Sequence, residues 1–174
     1  GLNIEKFRGS IDSDTDLERF VSGADTVVHI AGIMKTPRLL AAIERAGGVK
    51  HVVLVHTTGI YSKYKMASAG YKAVEEDMRQ YLDRGMNITI LRPTMIFGDL
   101  NISKFIRMVD KLPIMPEIDH GTGPIQPVNA RDLGQAYYKA AMHEQLPQLE
   151  YICSGERPLT VHELCALIGE YLGK

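Results

Sequence analysis

Residues 57–98 read TTGIYSKYKMASAGYKAVEEDMRQYLDRGMNITILRPTMIFG. The apolar run at 51–56 just before them predicts a buried strand that ends in the hydroxyls of Thr57 and Thr58. A polar, tyrosine-rich loop follows. A helix is then expected over 68–84, with Val74, Met78, Tyr81 and Leu82 on one stripe and Gly85 as its stop. A second apolar strand at 87–91 runs into Arg92-Pro93-Thr94. Strand, helix and strand in that order predict a βαβ unit, with the two strands parallel. In open α/β sheets, ligands bind beyond the carboxyl ends of such strands. Here that edge carries Thr58, Lys72, Arg92 and Thr94.

The same alternation extends outward in both directions. Residues 4–11 look like a short strand, and Asp14 or Thr15 is placed to cap a helix running to about Val21. The β-branched run at 26–30 predicts a strand buried on both faces. Thr36, as a hydroxyl cap, and Pro37, at the first helical position, open a helix over 36–46 that stops at Gly47-Gly48. Beyond 98, helices are expected over 102–112 and 132–143, with a loop at 112–123 and short strands at 125–128 and 150–153. Asp132 would cap the second of these helices. Thr160 with Glu163 forms a capping-box pattern before a last helix. The fold class is therefore α/β, a Rossmann-like doubly wound parallel sheet. The elements fall into a larger region at 1–98 and a small C-terminal lobe at 99–174.

Composition narrows the function classes. The 174 residues suffice for a real core. A formal net charge of -1 gives no electrostatic case for nucleic acid or an anionic membrane. No apolar run approaches the ~20 residues that span a bilayer. The two cysteines, Cys153 and Cys165, make no disulfide framework, and a reduced, cytoplasmic protein is expected. The six histidines show no metal-ligand spacing, so no metal is expected.

Several segments, in order, resemble the NAD(P)-dependent epimerase/dehydratase family, the extended or atypical short-chain dehydrogenases. DTVVHIAG at 25–32 is similar to that family's strand D-x-V-x-H-x-A-[AG]. VLVHTTGIY at 53–61 is similar to the strand carrying its catalytic Ser or Thr. Tyr71-Lys72 with Glu76 resembles the helix of its catalytic lysine. LRPTMIFG at 91–98, QPVNARDLG at 126–134 and LTVHELCALIGEYLG at 159–173 resemble its later motifs. The resemblance implies NAD or NADP as cofactor and a nucleotide sugar or small carbonyl or alcohol as substrate. It also implies a homodimer. By the same resemblance Thr58 orients the substrate oxygen and Lys72 contacts the nicotinamide ribose. Tyr71 or Tyr61 is then the proton donor. Ser10, Ile11, Ile30, Ala31, Gly32, Thr57, Pro93, Thr94 and Ile96 would line the cofactor. The implied dimer packs the helices at 36–46 and 68–84, through Leu39, Leu40, Ile43, Val74, Met78 and Tyr81.

The chain departs from the family pattern in three places. It carries no glycine-rich phosphate-binding turn, whose backbone amides approach a pyrophosphate at a helix N-terminus. Ser68 stands four residues before Lys72, where the family's Tyr-x-x-x-Lys pair has tyrosine. Tyr61 with Lys65 is the only literal match to that spacing near the strand. Gly9-Ser10-Ile11 replaces Gly-Asp-[LIV], whose aspartate contacts the adenine amino group. Other readings need no catalysis: Lys72 as a solvated partner of Glu75, Glu76 or Asp77, Arg92 as a cap on strand carbonyls, and His29 as a core histidine. Met34, Met66, Met95 and Met115 would shape an apolar wall or fill loose loops. A silent dinucleotide-binding or regulatory module is the alternative to an enzyme.

Overall fold

A computed structural model describes residues 4–98, 103–112, 118–143 and 146–174, apart from the side chains at 65, 67, 103–105 and 118–119. The chain runs α1 (Asp14–Val21), β1 (Thr26–His29), α2 (Thr36–Ala46), β2 (His51–Val55), α3 (Lys65–Asp83) and β3 (Ile88–Pro93). It continues through β4 (Ile96–Phe97), α4 (Ser103–Lys111), β5 (Pro124–Ile125), β6 (Val128–Asn129) and α5 (Ala130–Met142). Then come β7 (Glu150–Cys153), β8 (Leu159–Thr160) and α6 (Val161–Leu172).

The β-branched runs at β1, β2 and β3 form parallel neighbours, and β7 completes the order β1-β2-β3-β7. Register aligns Val27 with Val52 and Val52 with Ile88; two residues along, His29 meets Leu54 and Leu54 meets Ile90. Val27, Val52, Leu54, Ile88 and Ile90 therefore share a face. They form one cluster with Leu17 and Val21 of α1, Leu39, Leu40 and Ile43 of α2, and Met78 and Tyr81 of α3. Because the three strands step in a single direction, right-handed crossovers put α2 and α3 on the same side. Val53, Val55, Thr89 and Leu91, on the opposite face, are also buried, as a parallel sheet requires.

The chain divides into two units. One comprises Gly1–Arg92 with Tyr137–Tyr151, the other Pro93–Ala136 with Ile152–Lys174. A single boundary at 98 does not separate them, because the chain passes from one to the other three times. In the second unit β4 pairs with β6 in parallel and β5 with β8 in antiparallel.

Several local expectations are corrected. Residues 4–11 form no strand. They fold back onto α1, where Asp16 accepts the Ser10 N–H and Phe7 packs on Phe20 with ring centroids 5.7 Å apart. The α1 cap is Ser13 rather than Asp14 or Thr15. Thr36 is not a cap: it is fully buried inside α2, and its hydroxyl meets His56. Helix α3 begins at Lys65, ahead of Ser68, since no breaker separates 65 from 68. Asp132 lies inside the first turn of α5, and Asn129 Oδ1 accepts the Arg131 N–H instead. The residues proposed for a dimer contact, Leu39, Leu40, Ile43, Val74, Met78 and Tyr81, are core residues, each at most 8% exposed. The capping box at α6 is present in full. The expected loop at 112–123 contains a short 3-10 turn at Ile118–Gly121, and its residues 113–117, with Met115, lie outside the described part.

Candidate functional site

Strand β2 delivers its chain directly into a 3-10 turn, Thr58–Tyr61, at the carboxyl edge of the sheet. Thr57 Oγ1 accepts the Gly59 N–H at 3.0 Å and fixes the start of that turn. A Cβ on Gly59 would stand 3.2 Å from both Thr57 Oγ1 and Tyr71 Cε2. The ring of Tyr71 on α3 therefore lies against the turn, beside the hydroxyl-bearing residues Thr57 and Thr58. Lys72 follows on the exposed side of the helix. Ser68, one turn earlier, is 1% exposed, and its hydroxyl donates to Tyr64 O. The α3 tyrosine nearest the strand end is thus Tyr71, and no Tyr–Lys pair one turn apart involves Lys72.

Tyr61 has a different environment. Its hydroxyl donates to Glu150 Oε1 at 2.8 Å. Burial and that bond raise the phenol pKa, against the opposing pull of the Arg92 charge. A phenol held this way is a weaker acid near neutral pH. Met34 and Met66 are 58% and 99% exposed.

Behind the edge, in the first unit, runs a chain of polar groups, of which sequence reasoning named Arg92 and Glu75 but missed Glu150 and the part played by His56. Arg92, only 2% exposed, donates Nη1 and Nη2 to the two oxygens of Glu75 at 2.6 and 2.8 Å. It also gives Nε and Nη2 to Glu150 at 2.9 and 2.6 Å, and Nη1 to Thr57 O at 3.4 Å. Glu75 further accepts from His56 Nδ1 at 2.9 Å, and His56 Nε2 meets Thr36 Oγ1 at 3.1 Å. A carboxylate only accepts, so Nδ1 carries the histidine proton, and in the neutral ring Nε2 accepts from Thr36. Burial alone would raise the Glu75 carboxyl. Hydrogen bonds from His56 and Arg92, with the Arg92 charge, hold it instead at about 2. Glu150 is lowered chiefly by its Arg92 hydrogen bonds. Arg92 is raised: burial opposes its charge, but two carboxylates outweigh that. Arg92 thus serves as a structural clasp on the Thr57 carbonyl, at the start of the turn, and on two carboxylates. The one sequence signal for Glu75 is its i+4 spacing from Tyr71 on the helix.

At the end of β1 a cavity of about 250 Å3 is lined by Ser10, Ile11, Asp16, Val28, Ile30 and Ala31, among others. Four of the residues assigned by resemblance to the cofactor, Ser10, Ile11, Ile30 and Ala31, come together here. Gly32 turns the chain away with φ of +98°, a conformation that favours glycine. Its carbonyl accepts from His29 Nε2 at 3.1 Å. His29 has its pKa lowered, chiefly by burial. Among the described residues no group of three or more His, Cys, Asp or Glu side chains could hold a metal ion.

The remaining assigned residues belong to the second unit. Pro93 ends β3, and Ile96 pairs with Val128. The Thr94 N–H donates to Cys153 O at 3.0 Å, and its hydroxyl donates to the Gln126 and Cys153 carbonyls. Gln126 Nε2 donates in turn to Gly155 O at 2.6 Å.

No protein-family model and no curated protein sequence matches the chain. Solved structures do. UDP-N-acetylglucosamine 4-epimerase from Bacillus cereus superposes with a TM-score of 0.81 at 18% identity, over 99% of this chain and 71% of that one. MoeE5 in complex with UDP-glucuronic acid and NAD gives 0.77 at 19% identity, over 95% of this chain and 68% of that one. The Bordetella bronchiseptica enzyme WbmG in complex with NAD gives 0.72 at 16% identity, over 95% and 62%. The chain has the Rossmann-like fold of these proteins and spans about two thirds of their length.

Proposed function

We propose that a chain with this fold supplies the substrate-facing sheet edge of a nucleotide-sugar oxidoreductase of the epimerase/dehydratase kind. One observation carries the reading: the Tyr71 ring rests on the Thr57–Gly59 turn at the carboxyl end of β2. Thr58 orients the substrate hydroxyl. Tyr71, as the proton donor, gives its phenolic proton to a substrate carbonyl oxygen while hydride from reduced nicotinamide reaches the carbonyl carbon, the reverse reaction returning both; Lys72 meets the ribose hydroxyls. NAD or NADP, when bound, supplies reversible hydride transfer at the nicotinamide ring. We read the cavity at the end of β1 as the place for the adenosine end of such a dinucleotide, held by Ser10, Ile11, Ile30 and Ala31. The similarity to structures solved with NAD and UDP-sugars supports the same class of ligands.

The test is nicotinamide absorbance with UDP-sugars and simple carbonyls, run on the wild type, Tyr71→Phe and Lys72→Ala. Positioned acid–base groups contribute about 100–10,000-fold, so each variant is expected to lose turnover on that scale. Wild-type turnover that survives Tyr71→Phe overturns the assignment.

A second reading, a ligand-binding module without turnover, has its own observation: Ser68 is buried where the paired tyrosine would stand, and the Tyr61 hydroxyl is held by Glu150. Under it the wild type shows no turnover, and Lys72→Ala weakens cofactor binding alone.

A further inference from the structure

The cavity at the end of β1 has an unusual balance of groups. Its walls are apolar, including Leu17, Phe20, Val28 and Ile30, and Asp16 is the only carboxylate among its lining residues. No lysine or arginine lines it. Such a site disfavours phosphate and suits a flat, neutral heterocycle that offers an N–H donor at one edge. Resemblance puts the acceptor for an adenine amino group at position 10, but Ser10 is poorly placed for it. Its Oγ already accepts the Asp12 N–H at 3.2 Å.

Asp16 stands next to it. Asp16 Oδ2 accepts the Ser10 N–H at 3.0 Å, so the α1 carboxylate is fastened to the backbone of position 10. Its other oxygen lies 3.7 Å from Arg19 Nη1, in a pair whose arginine is largely exposed. A carboxylate has about four lone-pair sites, and these two contacts leave acceptor capacity on a side chain that is 28% exposed. The neighbouring backbone also has no spare room: a Cβ on Gly9 would stand 2.6 Å from Phe7 Cε1 and 3.1 Å from Asp16. Glycine at 9 lets the segment press against α1 and bring Asp16 to the cavity.

We infer that Asp16, reaching in from α1, is the residue that reads the exocyclic amine of a 6-aminopurine in this chain, in place of an acid at position 10. The inference rests on reading the cavity as an adenosine site. It separates adenine from hypoxanthine, which has a carbonyl where adenine has its amine and so opposes acceptor with acceptor.

The test titrates the full 174-residue chain with 5′-AMP and with 5′-IMP and follows backbone amide chemical shifts. AMP is expected to shift residues 10, 11, 16 and 28–31, and to bind at least ~10-fold more tightly than IMP, the scale of one hydrogen bond to a charged group. Asp16→Ala should bring the AMP/IMP ratio near one, and adding Ser10→Asp to that variant should restore the preference. If Asp16→Ala fails to fold, Asp16→Asn keeps an acceptor for the Ser10 N–H and should lower the ratio about threefold or more. A ratio unchanged in these variants overturns the role of Asp16 and leaves the cavity reading intact. The absence of AMP-dependent shifts at residues 10, 11 and 28–31 overturns the cavity reading and the inference with it.

Discussion

Arg92 is buried with two carboxylates and one histidine on its chain of contacts, and acid should expose that dependence. Glu75 is held at about 2, against an ordinary value of 4.5. Below pH 4.5 the unfolded chain binds a proton there that the folded chain refuses. The pair's stabilisation is therefore present above about pH 4.5 and is lost as pH falls toward 2. A shift of that size corresponds to roughly 3 kcal/mol. His29 and His51 act in the same direction at higher pH, since burial lowers both, and their effect begins as pH falls through the ordinary histidine range near ~6.5. Thermal denaturation from pH 7 to 2.5 should show two descending stretches, and Glu75→Gln should flatten the lower one. An unchanged acid limb in that variant would sink the account. Ser68 gives a second residue-scale expectation. Tyrosine at 68 would restore the Tyr-x-x-x-Lys spacing on paper, yet the side chain is 1% exposed. Overpacking of this kind costs ~1–3 kcal/mol, so Ser68→Tyr should lower the melting temperature and gain no turnover.

At the scale of elements, the apolar faces of α2 and α3 settle a question that the periodicity leaves open. A stripe at helical spacing serves a core and a partner helix equally well. Leu39, Leu40 and Ile43 cover the sheet residues Val27, Val52 and Leu54 in one cluster. Ile43→Glu would bury a charge among them and should abolish the folded circular dichroism signal; a variant that stays folded and only changes oligomeric state would return Ile43 to a subunit interface. The strands and helices were legible because β-branched runs, glycine stops and the α6 capping box act within a few residues. The strand expected at 4–11 was not, because pairing is decided by a neighbour distant in sequence and these residues found α1 instead. The site was half legible. The strand end puts Thr57 and Thr58 at the sheet edge, whereas helix spacing turns Tyr71 about a quarter-turn from Lys72, and its rest against the turn comes only from the fold. Glu150 joins Arg92 across 58 residues, and no local pattern announces a partner so far along the chain.

For the molecule as a whole, β1 ends the four-stranded order on one side. Asp25 O accepts the His51 N–H at 3.2 Å. With the two-residue period, Val27 and His29 then face β2, while the backbone groups of Thr26, Val28 and Ile30 point the other way. An apolar edge of this kind templates association, and lysine on the edge suppresses it. Sedimentation velocity over a concentration series should show this chain associating, and Ile30→Lys, at a residue 59% exposed, should reduce it. A sharp monomer at all concentrations would count against the edge. The missing glycine-rich turn bears on the whole molecule too: the 174-residue chain is expected to bind NAD(H) or NADP(H) weakly, and micromolar affinity by calorimetry would refute that.

The Arg92 clasp also sets a clock for folding. Its bond to Glu75 closes a loop of 17 residues, and its bond to Glu150 one of 58. Closure entropy rises by ~0.6 kcal/mol for each doubling of length, so the α3–β3 half should form first. As the polypeptide leaves the ribosome, Arg92 meets Glu75 while Glu150 is still unmade. For that interval the arginine has a single carboxylate, and β7, when it arrives, brings the second one with it.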